Sequence, residues 1–369
     1  MRLLQKECGK CLRHPFLWIV CITFGLFQFL SIYTYVGNAG MRKELRQMHV
    51  AVTDEETASP EYESAYADYK KTYGGMYDTL DMRKILEQKE KKSGYEPQGV
   101  WGSWIVRNYD RLQKRVEQIR KTGEGTYAFY PGSWYKLHST LYGKLWKKLI
   151  LQTAVLMILS MLYLMDYERI YKTQDLVLAT TTGKKMMEKK MLAGTLCGLF
   201  YAGLLTVFTL LVFFAAVPFQ NLWHVPVAAC MVAEPRLQMM YPFVTFWRLE
   251  QWRYLLLALV VLVGLLGIVA AVTAAVQLFL QNSYFSFAVL GLLFMGAYLL
   301  AYVQMGNVWD LIREFFNPTV LYATSGGWFM ENDLCLSFAG NEFAVLFCSG
   351  TAAVCLMAVG KRRYHRLEV

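Results

Sequence analysis

Six stretches of the chain run nearly free of charge for the length that crosses a bilayer, and polar segments of very different size separate them. The first is Phe16 to Val36, opened by Pro15, a residue suited to the first turn of a helix. The others cover residues 145–165, 191–217, 253–280, 284–303 and 343–360. Gln281, Asn282 and Ser283 leave room only for a tight turn between the fourth and fifth. Ahead of the first, Met1 to His14 is basic (Arg2, Lys6, Lys10, Arg13) with Leu3, Leu4 and Leu12 interspersed, which predicts a short interfacial helix. A cleaved signal peptide ending at Ala39 is the alternative; the apolar run is long for one, which favours a retained span.

From Gly37 to Lys144 the pattern changes. Charges of both signs, many tyrosines and short apolar stripes predict an aqueous, mainly helical domain. Its candidate helices are 41–50, 60–73, 78–92 and 104–121, separated by glycine-containing breaks. Asp78 stands as N-cap before the stripe of Leu80, Met82, Ile85 and Leu86. Lys144, Lys147 and Lys148 fall at the start of the second span, where long side chains can reach the interface. Pro218 to Trp252 mixes prolines and tryptophans with apolar residues and reads as a loop lying in the interface. Gln304 to Asn341 is too polar to cross; Asp310 to Phe316 predicts a short helix stopped by Asn317 and Pro318.

Orientation follows from the basic residues. The N-terminal segment, residues 166–190 and the tail 361–369 are rich in Lys and Arg, whereas the two shorter segments on the other side carry only Arg236, Arg248 and Arg313. Clustered Lys and Arg are retained on the cytoplasmic face, so both termini are expected inside and the 37–144 domain outside. The expected fold is an all-α integral membrane protein with six transmembrane helices and a helical extracytoplasmic domain inserted after the first.

The 369 residues are 55% hydrophobic, with a formal charge of +10. Because the basic residues of the short segments flank apolar spans, that charge reads as topology, and nucleic acid is not expected as a partner. Eight cysteines form no framework. Cys8 and Cys11 make a CGKC sequence, but a redox motif of that kind needs a strand–helix setting absent here. Cys230 and Cys335 share the expected outer side, which leaves a disulfide between them open. The spans hold essentially no ionisable group in their interiors; Gln152, Gln277 and Gln304 lie near span ends, so a site for coupling to an ion gradient is missing. No GxxxxGK[ST] and no HExxH occurs. His49 and His138 read as surface or packing histidines, and Asp310, Glu314, Glu331 and Asp333 are the only carboxylates an outer catalytic site could use.

The segment between the second and third spans is more than a linker. Ile170, Gln174, Val177 and Leu178 recur at helical spacing, Gly183 interrupts, and Lys184, Lys185, Lys189 and Lys190 lead into the next span. An ordinary basic juxtamembrane loop is the competing reading. Within the third span Gly194, Gly198 and Ala202 recur every four residues, a face on which another helix can approach closely.

Three stretches resemble the permease subunit of ABC transporters of the second exporter type. LLQKECGKCLRHPFLWIV is similar to the family's basic N-terminal helix turning into a first span. YERIYKTQDLVLATTTGKKMMEKKMLAG resembles its signature after the second span: Glu168, a leucine-rich turn (Leu176, Val177, Leu178), a Thr-rich break, then Lys184, Lys185 and Lys190. The proline that many members carry near Thr180 to Thr182 is absent. WDLIREFFNPTVLY resembles the outer helices before the last span. The resemblance implies a multi-pass plasma-membrane protein that binds no cofactor itself. It implies two copies of an ABC-type ATPase carrying ATP and magnesium, and a second permease, identical or related. It assigns the ATPase contact to Glu168, Arg169, Gln174, Asp175, Leu176, Leu178, Lys184 and Lys185. A membrane sensor or assembly protein with an outer binding module is the alternative.

Overall fold

The computed structural model describes residues 2–37, 64, 67, 76–93, 99–124, 137–173, 183–217, 219, 223–229, 231–234, 239–242, 244–303, 308–331 and 338–367. Helix α1 (Arg2–Leu12) ends three residues before Pro15. His14 is extended, as a residue before proline prefers, and the turn launches the first span, α2 (Pro15–Val36). The Trp18 indole donates to the Leu12 carbonyl at 2.7 Å and fixes the corner.

Of the domain after the first span, α3 (Met76–Thr79), α4 (Met82–Ser93) and α5 (Gly99–Thr122) are described; the candidates at 41–50 and 60–73 lie outside the described residues. The cap of α4 is Asp81, not Asp78: its Oδ1 accepts from the backbone N–H of Arg83 at 3.0 Å and of Lys84 at 3.3 Å. Asp78 lies inside α3 and pairs with Arg120. Two short helices replace one because a carboxylate placed directly before the apolar stripe satisfies its free N–H groups better than one three residues upstream. Tyr77, Met82, Ile85, Tyr109, Leu112, Val116 and Ile119 form a small core that also takes in Ala228 and Val244.

The second span begins earlier than its apolar run. A π-helical turn, Ser139–Leu145, leads into α6 (Trp146–Met165). Backbones meet closely there: a Cβ on Gly326 would stand 3.0 Å from the Gly143 Cα. Lys148 donates to Ser31 Oγ at 3.0 Å and Tyr35 Oη at 3.3 Å, and Lys147 lies 5.2 Å from the ring centre of Tyr322. A one-turn helix, α7 (Tyr167–Ile170), follows. The third span, α8 (Gly183–Ala216), starts eight residues before Met191, where the apolar pattern alone would begin it. Lysines are good helix formers, so the helix runs through them and only the membrane boundary is apolar. For the same reason α13 (Asn341–Leu367) continues past Gly360 into the basic residues 361–367 expected as a tail.

The described residues are helical as expected for an all-α membrane protein, with one small exception between the third and fourth spans. β1 (Met231–Glu234) and β2 (Met239–Pro242) pair antiparallel as a small ribbon. The fourth and fifth spans, α9 (Gln251–Leu280) and α10 (Ser283–Ala301), are joined by the expected tight turn. Gln281 takes a left-handed φ of 51°, and Asn282 Oδ1 caps α10 from the Phe285 N–H at 3.1 Å. α11 (Val308–Phe316) stops at Asn317 and Pro318, whose turn leads into α12 (Thr319–Ala323). Asn317 holds that stop by accepting from Thr319 Oγ1 at 2.7 Å and donating to the Ala297 carbonyl at 2.7 Å.

Among the described residues six helices are long and apolar enough to cross a membrane, which makes this a multi-pass membrane protein. Helix α8 packs on α6 and α13 packs on α9 around one continuous core. The fifth span turns Tyr284, Phe285, Leu292, Met295 and Leu299 outward, as a lipid-facing helix does. At one end of the bundle α1, α7, the base of α8, the 281–282 turn and the end of α13 come together. At the opposite end α5 holds the segments before α9 and before α13: Tyr109 donates to Glu331 at 3.0 Å and Arg115 to the Thr245 carbonyl at 3.2 Å.

Candidate functional site

The end that gathers both chain termini contains a closed set of charges. Helix α1 contributes Glu7 and Lys10, one turn apart and 2.6 Å from each other. Lys10 reaches on to Glu168 of α7 at 3.2 Å, and Glu168 closes on Lys190 from the base of α8. Two carboxylates and two ammonium groups thus neutralise one another. Glu7 is 1% exposed and the Lys190 and Glu168 side chains 5% and 8%, so three of the four are withdrawn from water, while Lys10, at 25%, keeps one side open to it. Lys10 also lies 4.4 Å from the ring centre of Tyr167. Buried charges persist only when paired, so these four residues fix three separate chain segments against each other.

Local backbone chemistry aims Glu168 inward. The peptide N–H of Thr173 donates back to the Glu168 carbonyl at 2.8 Å while Lys172 takes a φ of 55°. This is the left-handed helix stop usually made with glycine, here carried by a lysine. It ends α7 abruptly.

Two further contacts extend the site. Asp166 accepts from Ser283 Oγ at 2.9 Å, which ties the end of the second span to the turn between the fourth and fifth. Glu188 on α8 pairs with Lys361 on α13. The segment after the second span is therefore fastened, directly or through one neighbour, to α1 and to the third, fifth and sixth spans.

The sequence-derived contact residues divide sharply. Glu168 is buried in the charge set, and Arg169 beside it is exposed. Lys184 and Lys185 fall in the first turn of α8, and Gln174, Asp175, Leu176 and Leu178 lie outside the described residues. Gly194 and Gly198 face the second span: Met161 Cα and Met157 Cα would each stand 3.1 Å from a Cβ added there, and Ala202 is buried one turn further on. Sequence reasoning missed Glu7 as a partner. The available signal was one acidic residue in an otherwise basic amphipathic helix, three positions before Lys10.

At the opposite end the carboxylates are engaged one by one. Glu331 accepts from Tyr109, Glu314 from Asn341 at 3.4 Å, and Asp310 pairs with Arg313 at 3.5 Å; Asp333 lies outside the described residues. His138 is buried against Tyr142 and Tyr254, with ring centres 4.7 Å and 5.0 Å away, and burial pushes its pKa down to about 4. Cys230 and Cys335 lie outside the described residues. Among the described residues no three His, Cys, Asp or Glu side chains are placed to hold a metal ion. No protein-family model matches the chain, and neither a curated protein nor a solved structure matches it.

Proposed function

We propose that the chain is the membrane-spanning permease subunit of an ATP-driven exporter of the second ABC type, powered by a separate ATPase that grips residues 166–190 from the cytosol. The observation that carries this reading is the largely buried set Glu7, Lys10, Glu168 and Lys190. A force applied to a segment does work on the spans only if the segment is rigidly joined to them. Here the joint is made by the buried Glu168, which pairs with the part-buried Lys10 of α1 on one side and with the buried Lys190 of the third span on the other. The basic residues of that end support a cytoplasmic orientation. Glu168 is then the residue that transmits, and Arg169, Lys184 and Lys185 are the ones presented to the ATPase. Two permeases and two ATPases with bound ATP and magnesium complete the complex in the plasma membrane.

Purification of the tagged chain from native membranes tests this: a P-loop ATPase is expected to accompany it. Recovery of the chain without one, in mild detergent and with the charge set intact, contradicts the proposal.

A second reading, a sensor or assembly protein, draws on the opposite end. Helices α3 and α5 are clasped to the segments that lead into the fourth and sixth spans by Tyr77 to the Ala228 carbonyl, Tyr109 to Glu331 and Arg115 to the Thr245 carbonyl. A ligand held there would be felt by the fourth and sixth spans. Under that reading the chain purifies without an ATPase, and deleting residues 76–124 abolishes its output.

A further inference from the structure

The lysines at the start of the second span take no part in the charge set, which lies at the other end of the bundle. Lys144, Lys147 and Lys148 follow one another at helical spacing, from the last turn of the π-helical segment into the first turn of α6. Orientation does not require them there, since that rule gathers cations at the opposite end. Among the described residues no carboxylate lies within ion-pairing distance of any of the three. Like charges three and four positions apart on a helix repel, so the cluster carries an uncompensated cost.

Neutral groups of the flanking helices hold the three in place. Lys148 donates to Ser31 Oγ and Tyr35 Oη, and its Nζ stands 5.2 Å from the Phe27 ring centre and 4.9 Å from that of Tyr35. Lys144 lies 4.9 Å from the same Tyr35 ring, so two ammonium groups converge on one side chain of α2. Lys147 turns the other way, 5.2 Å from the ring centre of Tyr322 on α12 and 5.9 Å from that of Tyr298 on α10. Lysines seeking only water would point away from the bundle; Lys147 and Lys148 are laid instead against rings and hydroxyls. Lys144 is exposed and the other two are half-buried, so the cluster is open to a ligand.

We propose that Lys144, Lys147 and Lys148 bind the phosphate of an anionic phospholipid in the leaflet at this end of the bundle. An ammonium group is a compact charge suited to a phosphate oxygen, and the bound anion removes the repulsion among the three. A lipid fits better than a free phosphate because apolar surface for its chains lies on both flanks: Phe27 and Leu30 of α2 and Met295 and Leu299 of α10 are all exposed. A zwitterionic lipid brings its own cation to the cluster and gains less. Lys148 leans on the first span and Lys147 on the fifth, so one headgroup would tie both to the second span from outside. The binding does not depend on the transport reading.

The test is acetylation of the purified full-length protein in detergent by acetic anhydride, read lysine by lysine by peptide mapping. Dioleoylphosphatidylglycerol, dioleoylphosphatidylcholine and water-soluble glycerol 1-phosphate are titrated in separate arms. Phosphatidylglycerol is expected to protect Lys144 and Lys147, while the other two leave them as reactive as before. Lys114, exposed on α5, is the reference and is expected to stay unchanged. In Lys147→Gln the phosphatidylglycerol concentration that half-protects Lys144 is expected to rise by about fivefold, the gain that one lysine draws from an anionic lipid surface. Size-exclusion elution checks that the variant is folded; if it is not, the wild-type titrations alone decide. Equal protection by phosphatidylcholine, protection by glycerol 1-phosphate alone, no protection by any of the three, or an unshifted titration in folded Lys147→Gln would each overturn the proposal.

Discussion

The Gln28 amide on the first span donates to Gln152 Oε1 on the second at 2.7 Å, and both residues are buried among apolar side chains. An amide left alone in lipid has no water to turn to, so the pair acts as a lock between two helices. Interhelical hydrogen bonds of this kind contribute roughly 0.6–2 kcal/mol. Gln28→Leu and Gln152→Leu are each expected to destabilise the bundle by about that much, and the double variant by less than the sum of the two. A double-mutant cycle on unfolding in mixed detergent micelles measures the coupling; additive effects contradict the lock.

The charge set predicts stronger coupling. Glu168→Ala leaves Lys10 and Lys190 without their shared partner, and removing one member of a buried pair costs roughly 3–5 kcal/mol. Glu168→Ala/Lys190→Ala is expected to recover part of that loss, because the buried Lys190 charge stranded by the first change is gone as well, while Lys10 keeps Glu7. Thermal unfolding in detergent reads the cycle. A double variant no more stable than Glu168→Ala would show that the pair does not hold the segment.

The small-residue face of the third span predicts a graded steric effect. Gly198→Ala is expected to destabilise by about 1–3 kcal/mol, since its methyl group meets the Met157 backbone. Gly203→Ala, with nothing within 4 Å of the added carbon, serves as control and is expected to be neutral or slightly stabilising. Equal behaviour of the two variants in a thermal melt argues against close packing of α8 on α6.

His138 predicts a pH dependence. Its pKa falls from the usual 6.5 to about 4 in the folded protein, so the unfolded chain binds more protons between those values. The stability drawn from burying the neutral ring is complete above pH 6.5 and is lost as pH falls towards 4, by roughly 3 kcal/mol at most. Melting temperature is expected to drop over that interval, and less steeply in His138→Phe. Parallel curves for the two proteins would place the titration elsewhere.

The six spans are plain in the sequence because a bilayer demands long uncharged runs, and residues such as Phe16 to Val36 serve no other purpose. Helix ends are not plain, because Lys184 to Lys190 and Lys361 to Leu367 extend helices beyond the apolar runs. The stop of α11 at Asn317 and Pro318 is legible, since proline forbids the continuation. The charge set is not: Lys10 and Glu168 are 158 positions apart, and nothing in the identity of either announces the other. Local signals were readable, whereas pairings made by helix packing were visible only in three dimensions.

The central claim is that a partner ATPase drives this chain by holding the segment that ends at the base of the third span. The direct measurement is ATP hydrolysis by the co-purified complex in lipid nanodiscs, comparing wild type with Lys184→Glu/Lys185→Glu, a variant that leaves Glu7, Lys10, Glu168 and Lys190 in place. The account predicts that transport-linked stimulation of hydrolysis is lost while the folded chain is recovered in normal yield. Undiminished stimulation with both charges reversed would contradict it.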